Sequence, residues 1–167
     1  MPRKLLRNGL IVADDWNYLS EAGCTAAESA AAARGIILTF DQWLTDKATW
    51  LADVRRLGVV LSPADKVDQL APELSRFDLV CVEFPGPSEG RGYTQGRLLR
   101  ERYGWAGELR ATGYVRRDQL FFLARCGFNS FELPDAELEH ASSTLSTFSA
   151  EYQPANDAGL AIKLRHR

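Results

Sequence analysis

Cysteine is scarce in this chain of 167 residues. The three present, Cys24, Cys81 and Cys126, are too few and too scattered for a disulfide framework or a Cys-x-x-Cys metal site. They fit a reducing compartment, where free thiols are ordinary. Histidine is scarcer still: His140 and His166 leave no histidine-based metal cluster and make Ser-His-Asp or Cys-His catalysis a poor fit. No iron–sulfur ligand spacing occurs either. Long apolar runs are also missing. No stretch approaches the roughly 18 apolar residues of a membrane span, and MPRKLLRNGLIV lacks a signal-peptide core and cleavage site. The expectation is a cytoplasmic protein with no membrane partner. Net charge is small, 20 basic against 22 acidic residues, for −2, which argues against a nucleic-acid binder.

What is present reads as one globular domain, with 25% charged and 46% hydrophobic residues. A chain of this length buries roughly 70% of its unfolded surface and needs no disulfide or metal staple. The opening KLLRNGLIVADDW places two short apolar runs around Asn8-Gly9, which predicts a hairpin within residues 1–16. Residues 17–34 are alanine-rich and read as a helix or a loop. From Gly35 onward, strand-like runs near 36–40, 58–61, 79–84, 108–113 and 129–133 alternate with helical patterns. One such pattern runs through Trp43, Leu44, Trp50, Leu51, Val54 and Leu57, with Asp41 as its candidate N-cap. The run FDLVCVEF is apolar almost throughout, as a strand covered on both faces requires. The alternation predicts an α/β fold: a mainly parallel sheet of about four to five strands with helices on its faces, plus the N-terminal hairpin. The sheet is either open and doubly wound or half-barrel-like, since a complete eight-unit barrel needs about 250 residues. A covering helix is expected after Pro134, and a flexible tail over 154–167 beyond a domain spanning 1–153.

The small net charge conceals an uneven distribution. Residues 91–125 carry eight arginines against three acids, net +5, whereas residues 13–83 carry twelve acids against six bases, net −6. Arginine offers a planar fork for carboxylate, phosphate or sulfur oxyanions. Helical arginines such as Arg100 and Arg102 read equally well as a solvated face with partners one turn away. Ligands of α/β sheets bind at the carboxyl ends of the strands, in loops leading to helices. There the segment GPSEGRGYTQGR places Gly90, Arg91, Gly92, Tyr93, Thr94 and Arg97 before or at the start of a helix expected near Thr94. These residues, with Arg110 and Arg116, form the candidate site for an anionic small molecule. The competing reading is a turn that merely needs glycines. Glu83, at the end of an apolar strand, is one candidate acid/base group if buried, or an ion-pair partner for an arginine. Asp118 is the other candidate; its commoner role is a helix cap. Cys81 reads as a core thiol, Cys126 as the more accessible one, and the tryptophans as core.

The run EGRGYTQGRLLRERYGWAGELRATGYVRRDQLFFLARCGFNSFEL, preceded by Phe84-Pro85, resembles an uncharacterised bacterial family, domain of unknown function 934. Asp14-Asp15-Trp16 and Phe148-Ser149-Ala150-Glu151-Tyr152-Gln153 extend the resemblance over roughly residues 3 to 153. The family pattern has Asp-Gly-Arg-Gly-Tyr-Ser where this chain has Glu89 to Thr94, which keeps the carboxylate and the hydroxyl. It has Gly-Asp-Val where this chain has Gly113-Tyr114-Val115, so a carboxylate is lost at Tyr114. The resemblance draws notice to Arg91, Tyr93, Arg97, Arg110, Asp118 and Gln119. It implies an accessory protein or oxidoreductase encoded beside assimilatory sulfite reductase, with that reductase or its electron donor as partner. An oxidoreductase without a metal site would take its electrons from flavin or nicotinamide, and no motif supports either. A ligand-sensing or structural module, covering the open side of its sheet as a homodimer, is the alternative.

Overall fold

A computed structural model of the chain describes residues 3–19, 34–45, 47–53 and 56–147. The hairpin is formed by β1 (Lys4–Arg7) and β2 (Leu10–Ala13). Asn8 and Gly9 both adopt positive φ, 51° and 79°, as the tight hairpin turn that matches strand twist requires. A third short strand follows, β3 (Trp16–Tyr18), in place of the start of the alanine-rich stretch. Residues 20–33 and the expected tail at 154–167 lie outside the described residues.

The alternating region then gives β4 (Gly35–Thr39), α1 (Phe40–Thr45), α2 (Lys47–Asp53) and β5 (Leu57–Leu61). Next come α3 (Val67–Leu70), which tightens into a 3₁₀ turn at Ala71–Arg76, and β6 (Leu79–Phe84). Helix α4 (Arg91–Arg97) widens into a π-type turn at Leu98–Arg102 and leads to β7 (Glu108–Gly113). A 3₁₀ turn at Arg117–Gln119 opens α5 (Leu120–Arg125), followed by β8 (Ser130–Phe131) and the covering helix α6 (Asp135–Thr147). No helix among the described residues is long and apolar enough to cross a membrane.

Two local expectations are corrected. The helical pattern expected from Trp43 to Leu57 is two short helices, and Leu57 already belongs to β5. Its cap is Thr39, not Asp41: the Gln42 amide N–H donates to Thr39 Oγ1 at 3.2 Å, and the Thr39 N–H donates to Gln42 Oε1 at 2.8 Å. This reciprocal pair satisfies two otherwise orphaned N–H groups.

The sheet has eight strands in the order β2-β1-β8-β7-β6-β5-β4-β3, not four or five. Strands β3 to β8 run parallel in sequence order, and the hairpin joins antiparallel through β1 against β8. The two outermost strands, β2 and β3, are separated in sequence only by Asp14 and Asp15. Three Cα–Cα steps reach at most about 11 Å. Eight flat strands spaced by about 4.8 Å would hold those edges roughly 34 Å apart. The sheet therefore curls into a half-barrel, and the open doubly wound alternative is excluded. Its convex face packs on the helices: Ile36, Leu38, Val59, Leu61, Val80, Val82, Leu109 and Ala111 meet Trp43, Leu70, Leu99, Leu120 and Leu138 in one core. Its concave face carries a second, smaller apolar cluster of Trp16, Ile37, Leu79 and Cys81.

Candidate functional site

Successive residues of a strand point to opposite faces, so β7 sends Leu109 and Ala111 to the helices and Arg110 and Thr112 into the concavity. Arg110 is wholly buried there. Its guanidinium lies 3.2 Å from Asp14, 3.0 Å from Glu108 and 3.3 Å from Glu132. A buried cation persists only when paired and hydrogen-bonded, and three carboxylates supply that pairing. Burial opposes its charge, but the surrounding groups outweigh burial and hold Arg110 protonated. Burial likewise pushes the Asp14 carboxyl above its ordinary range, against the pull of Arg110. The Trp16 N–H donates to Asp14 Oδ1 at 3.2 Å, which fixes the carboxylate at the sharp entry to β3. Two interior atoms on the paired residues Arg110 and Ser130, Nε and Oγ respectively, have no hydrogen-bond partner.

Above this floor the concavity opens into a cavity of about 290 Å³. Its polar lining is Arg3, Tyr18, Thr39, Gln42, Glu83, Thr112 and Glu132, with Ile37, Val60 and Gly113 completing the wall. Tyr18 and Thr39 end β3 and β4, while Glu83 and Thr112 are the penultimate residues of β6 and β7. The cavity thus lies at the carboxyl ends of the parallel strands, where barrels and open α/β sheets bind their ligands. Glu132 accepts from Tyr18 Oη at 2.8 Å, Thr112 Oγ1 at 2.7 Å and Arg110 at 3.3 Å, and Arg3 pairs with it at 3.6 Å. Burial raises the Tyr18 hydroxyl far above the usual tyrosine range, so it serves as a neutral donor. The Cys81 thiol, 3.9 Å from Tyr18 Oη, is raised in the same way and stays protonated.

Glu83 faces the cavity exposed, not buried, and no arginine pairs with it among the described residues. Of the candidate catalytic and anion-binding residues, it alone lines the cavity, and Arg110 alone joins the floor beneath; Thr112 and Gly113, which the sequence also places at this strand end, line it too. Gly90 to Arg97 lie elsewhere, on or beside α4 in the helical layer on the convex face. The helix begins at Arg91, three residues earlier than expected, so Gly92 and Gly96 sit inside it. A Cβ on Gly92 would stand 2.6 Å from the Phe84 ring, and one on Gly96 2.4 Å from Phe128. These two glycines let the helix lie close on the sheet. Gly90 has open space around it. Tyr93 packs edge-on against Phe84, with ring centroids 5.1 Å apart, and Thr94 is exposed.

The arginines of the +5 block are dispersed. Arg91 forms a fork with Glu89 at 2.9 and 2.8 Å, holding that carboxyl down at about 2. Arg97 pairs with Glu101 at 3.1 Å, one turn along. Arg100 turns inward to the carbonyls of Trp105, Gly107 and Gly127 at 2.6 to 2.9 Å. Arg116 pairs with Glu137 at 2.9 Å and so ties the start of α5 to α6. The cap expected of Asp118 is supplied by Gln119, whose Oε1 accepts the Arg116 N–H at 2.9 Å, and by Glu137 at the Arg117 N–H. Cys126, read as the more accessible of the two thiols, is buried like Cys81. Among the described residues no group of three or more His, Cys, Asp or Glu is placed to hold a metal ion; Asp14, Glu108 and Glu132 converge on a guanidinium instead.

Sequence reasoning missed Tyr18, Glu132 and Arg3 as members of a site. For Glu132 a signal existed: like Glu83 in LVCVEF, it is the lone carboxylate in an apolar run, SFEL. Tyr18 carried none, because its neighbours read as the start of an alanine-rich segment.

A search of curated proteins finds no match to this chain. The sequence pattern of a family described as "Bacterial protein of unknown function (DUF934)" matches residues 58–162, more than half of the chain and including Glu83, Arg110, Thr112 and Glu132; the protein belongs to that family.

Proposed function

We propose that the protein is a ligand-binding accessory protein of assimilatory sulfite reduction, which holds a small polar molecule at the mouth of its curled sheet and docks on the reductase or its electron donor. The cavity carries the binding half of this reading. It has about 290 Å³, stands at the carboxyl ends of five parallel strands and gathers polar side chains from both sides of the curl. That size is near the lower end of small-molecule sites, roughly 300–1,000 Å³, and suits a compact metabolite. The sulfite half is supported by the resemblance of the segment from Phe84 to Leu133, and the docking surface remains part of the proposal.

A deletion strain tests both halves. Growth on sulfate or sulfite as sole sulfur source should slow, while growth on cysteine stays normal. The native gene should restore it, and a Val60→Phe variant, which places a ring in the cavity, should not. Equal growth of the deletion strain on all three sources would refute the sulfite half. Full rescue by a folded Val60→Phe protein would refute the cavity's part.

A further inference from the structure

Among the described residues, every acidic side chain around the floor of the concavity has a cationic partner. Asp14 faces Arg110, Glu108 faces Arg110 and Arg7, and Asp15 faces Arg56 and Arg7. Glu132 is held by Arg110 and Arg3 and by two hydroxyls, which compensates its charge. Glu83 is different. It emerges from a strand whose other residues are all buried, stands in register with Thr112, lines the cavity, and has no partner among the described residues. Among the described lining residues Arg3 is the only cation, and it is already drawn to Glu132 and stacked over the Tyr18 ring. A carboxylate, sulfite or phosphate entering the cavity would meet one uncompensated carboxylate and a second whose cations are already engaged. An ammonium group would meet a ready counter-charge.

Resting on the ligand-binding reading above, we infer that the cavity takes a small compound bearing a primary ammonium group, with the Glu83 carboxylate as its counter-charge. Hydroxyls at Thr39 and Thr112 and the amide of Gln42 line the same space. Gln42 Oε1 is engaged by the Thr39 N–H, so the group it offers a ligand is its NH₂. The ammonium can come from a simple amine or from an amino acid. In the second case the ammonium still anchors the ligand, and its carboxylate would have to share Arg3 with Glu132.

Titration of the full-length protein, followed by backbone amide NMR, separates these chemistries. The probes are ethylamine hydrochloride, glycine, potassium acetate and sodium sulfite at neutral pH. Ethylamine and glycine should shift the amide signals of Glu83 and Thr112 with dissociation constants of about millimolar, the range open to ligands this small. Tighter glycine than ethylamine would assign the site to amino acids, and the reverse order to simple amines; both support the inference. Acetate and sulfite should leave those signals in place. Glu83→Gln should weaken both ammonium ligands by about tenfold or more, the usual effect of removing a charged hydrogen-bond partner. Because Glu83 is exposed and unpaired, its thermal midpoint should not change. Failure of both ammonium probes to bind, or equal binding to Glu83→Gln, overturns the inference. Sulfite binding at these signals that Val60→Phe abolishes also overturns it, yet keeps the ligand-binding reading. The growth experiment decides the sulfite half independently.

Discussion

Arg110 shows how one side chain organises the concave face. The lone arginine of the strand ELRATG counts with its neighbours in the basic block 91–125, because block counting of charge cannot tell which face of a strand a residue occupies. Alternation does give that information once the strand is placed: Leu109 and Ala111 face the helices, so Arg110 faces the other way. Two of its three carboxylate partners, Asp14 and Glu132, come from 96 and 22 positions away in sequence, where pairing is invisible without the fold; Glu108, two residues away, shares its face of the strand. Truncating one member of such a network strands the others without a partner in a poorly solvated space. Arg110→Met should destabilise the protein by about 3–5 kcal/mol in urea unfolding. Adding Asp14→Asn should recover part of that loss, because one of the stranded charges is then gone. A single variant costing under about 1 kcal/mol would show that water reaches Asp14 and Glu132 and screens them.

At the scale of elements, the long parallel strands were legible and the short ones were not. Strand β6 appears over Leu79–Phe84 as expected, since LVCVEF is apolar on both faces and both faces are covered. Strand β3 has three residues, too few to show any period, and β8 has two. Helix α4 is more instructive. Its glycines suggested backbone approach to an anion, but Gly92 and Gly96 are four apart, the spacing that places residues on one side of a helix. That side lies on Phe84 and Phe128. The same glycine count in the same stretch thus has two physical meanings, and spacing was the signal that separates them. Gly92→Ala and Gly96→Ala should each cost about 1–3 kcal/mol through overpacking. Gly90→Ala, with nothing near its added carbon, should shift stability by no more than about 0.5 kcal/mol. Chemical denaturation of the three variants checks the ranking. Loss of stability in Gly90→Ala alone would contradict the packing assignment.

At the scale of the whole molecule, the curl of the sheet creates the cavity, and two residues impose the curl. The half-barrel alternative could be stated from sequence, but the choice against an open sheet depended on β3, whose pairing beside β4 brings an edge strand to within two residues of β2. The curl has an energetic signature. Tyr18 in β3 and Thr112 in β7 are four strand spacings apart along the sheet, about 19 Å if it were flat. In the curled sheet their hydroxyls are 3.2 Å apart and share the Glu132 carboxylate. Distant sites behave additively within roughly 0.3–0.5 kcal/mol, whereas members of one hydrogen-bonded network couple by about 0.5–3 kcal/mol. A double-mutant cycle of Tyr18→Phe and Thr112→Val, read by urea unfolding, should therefore show non-additivity in the second range. Each single change leaves Glu132 with one donor fewer, and the second removes a hydroxyl from a network already weakened. Additive effects would mean that β3 and β7 do not meet across the cavity, and the site assembled there would have to be abandoned with that contact.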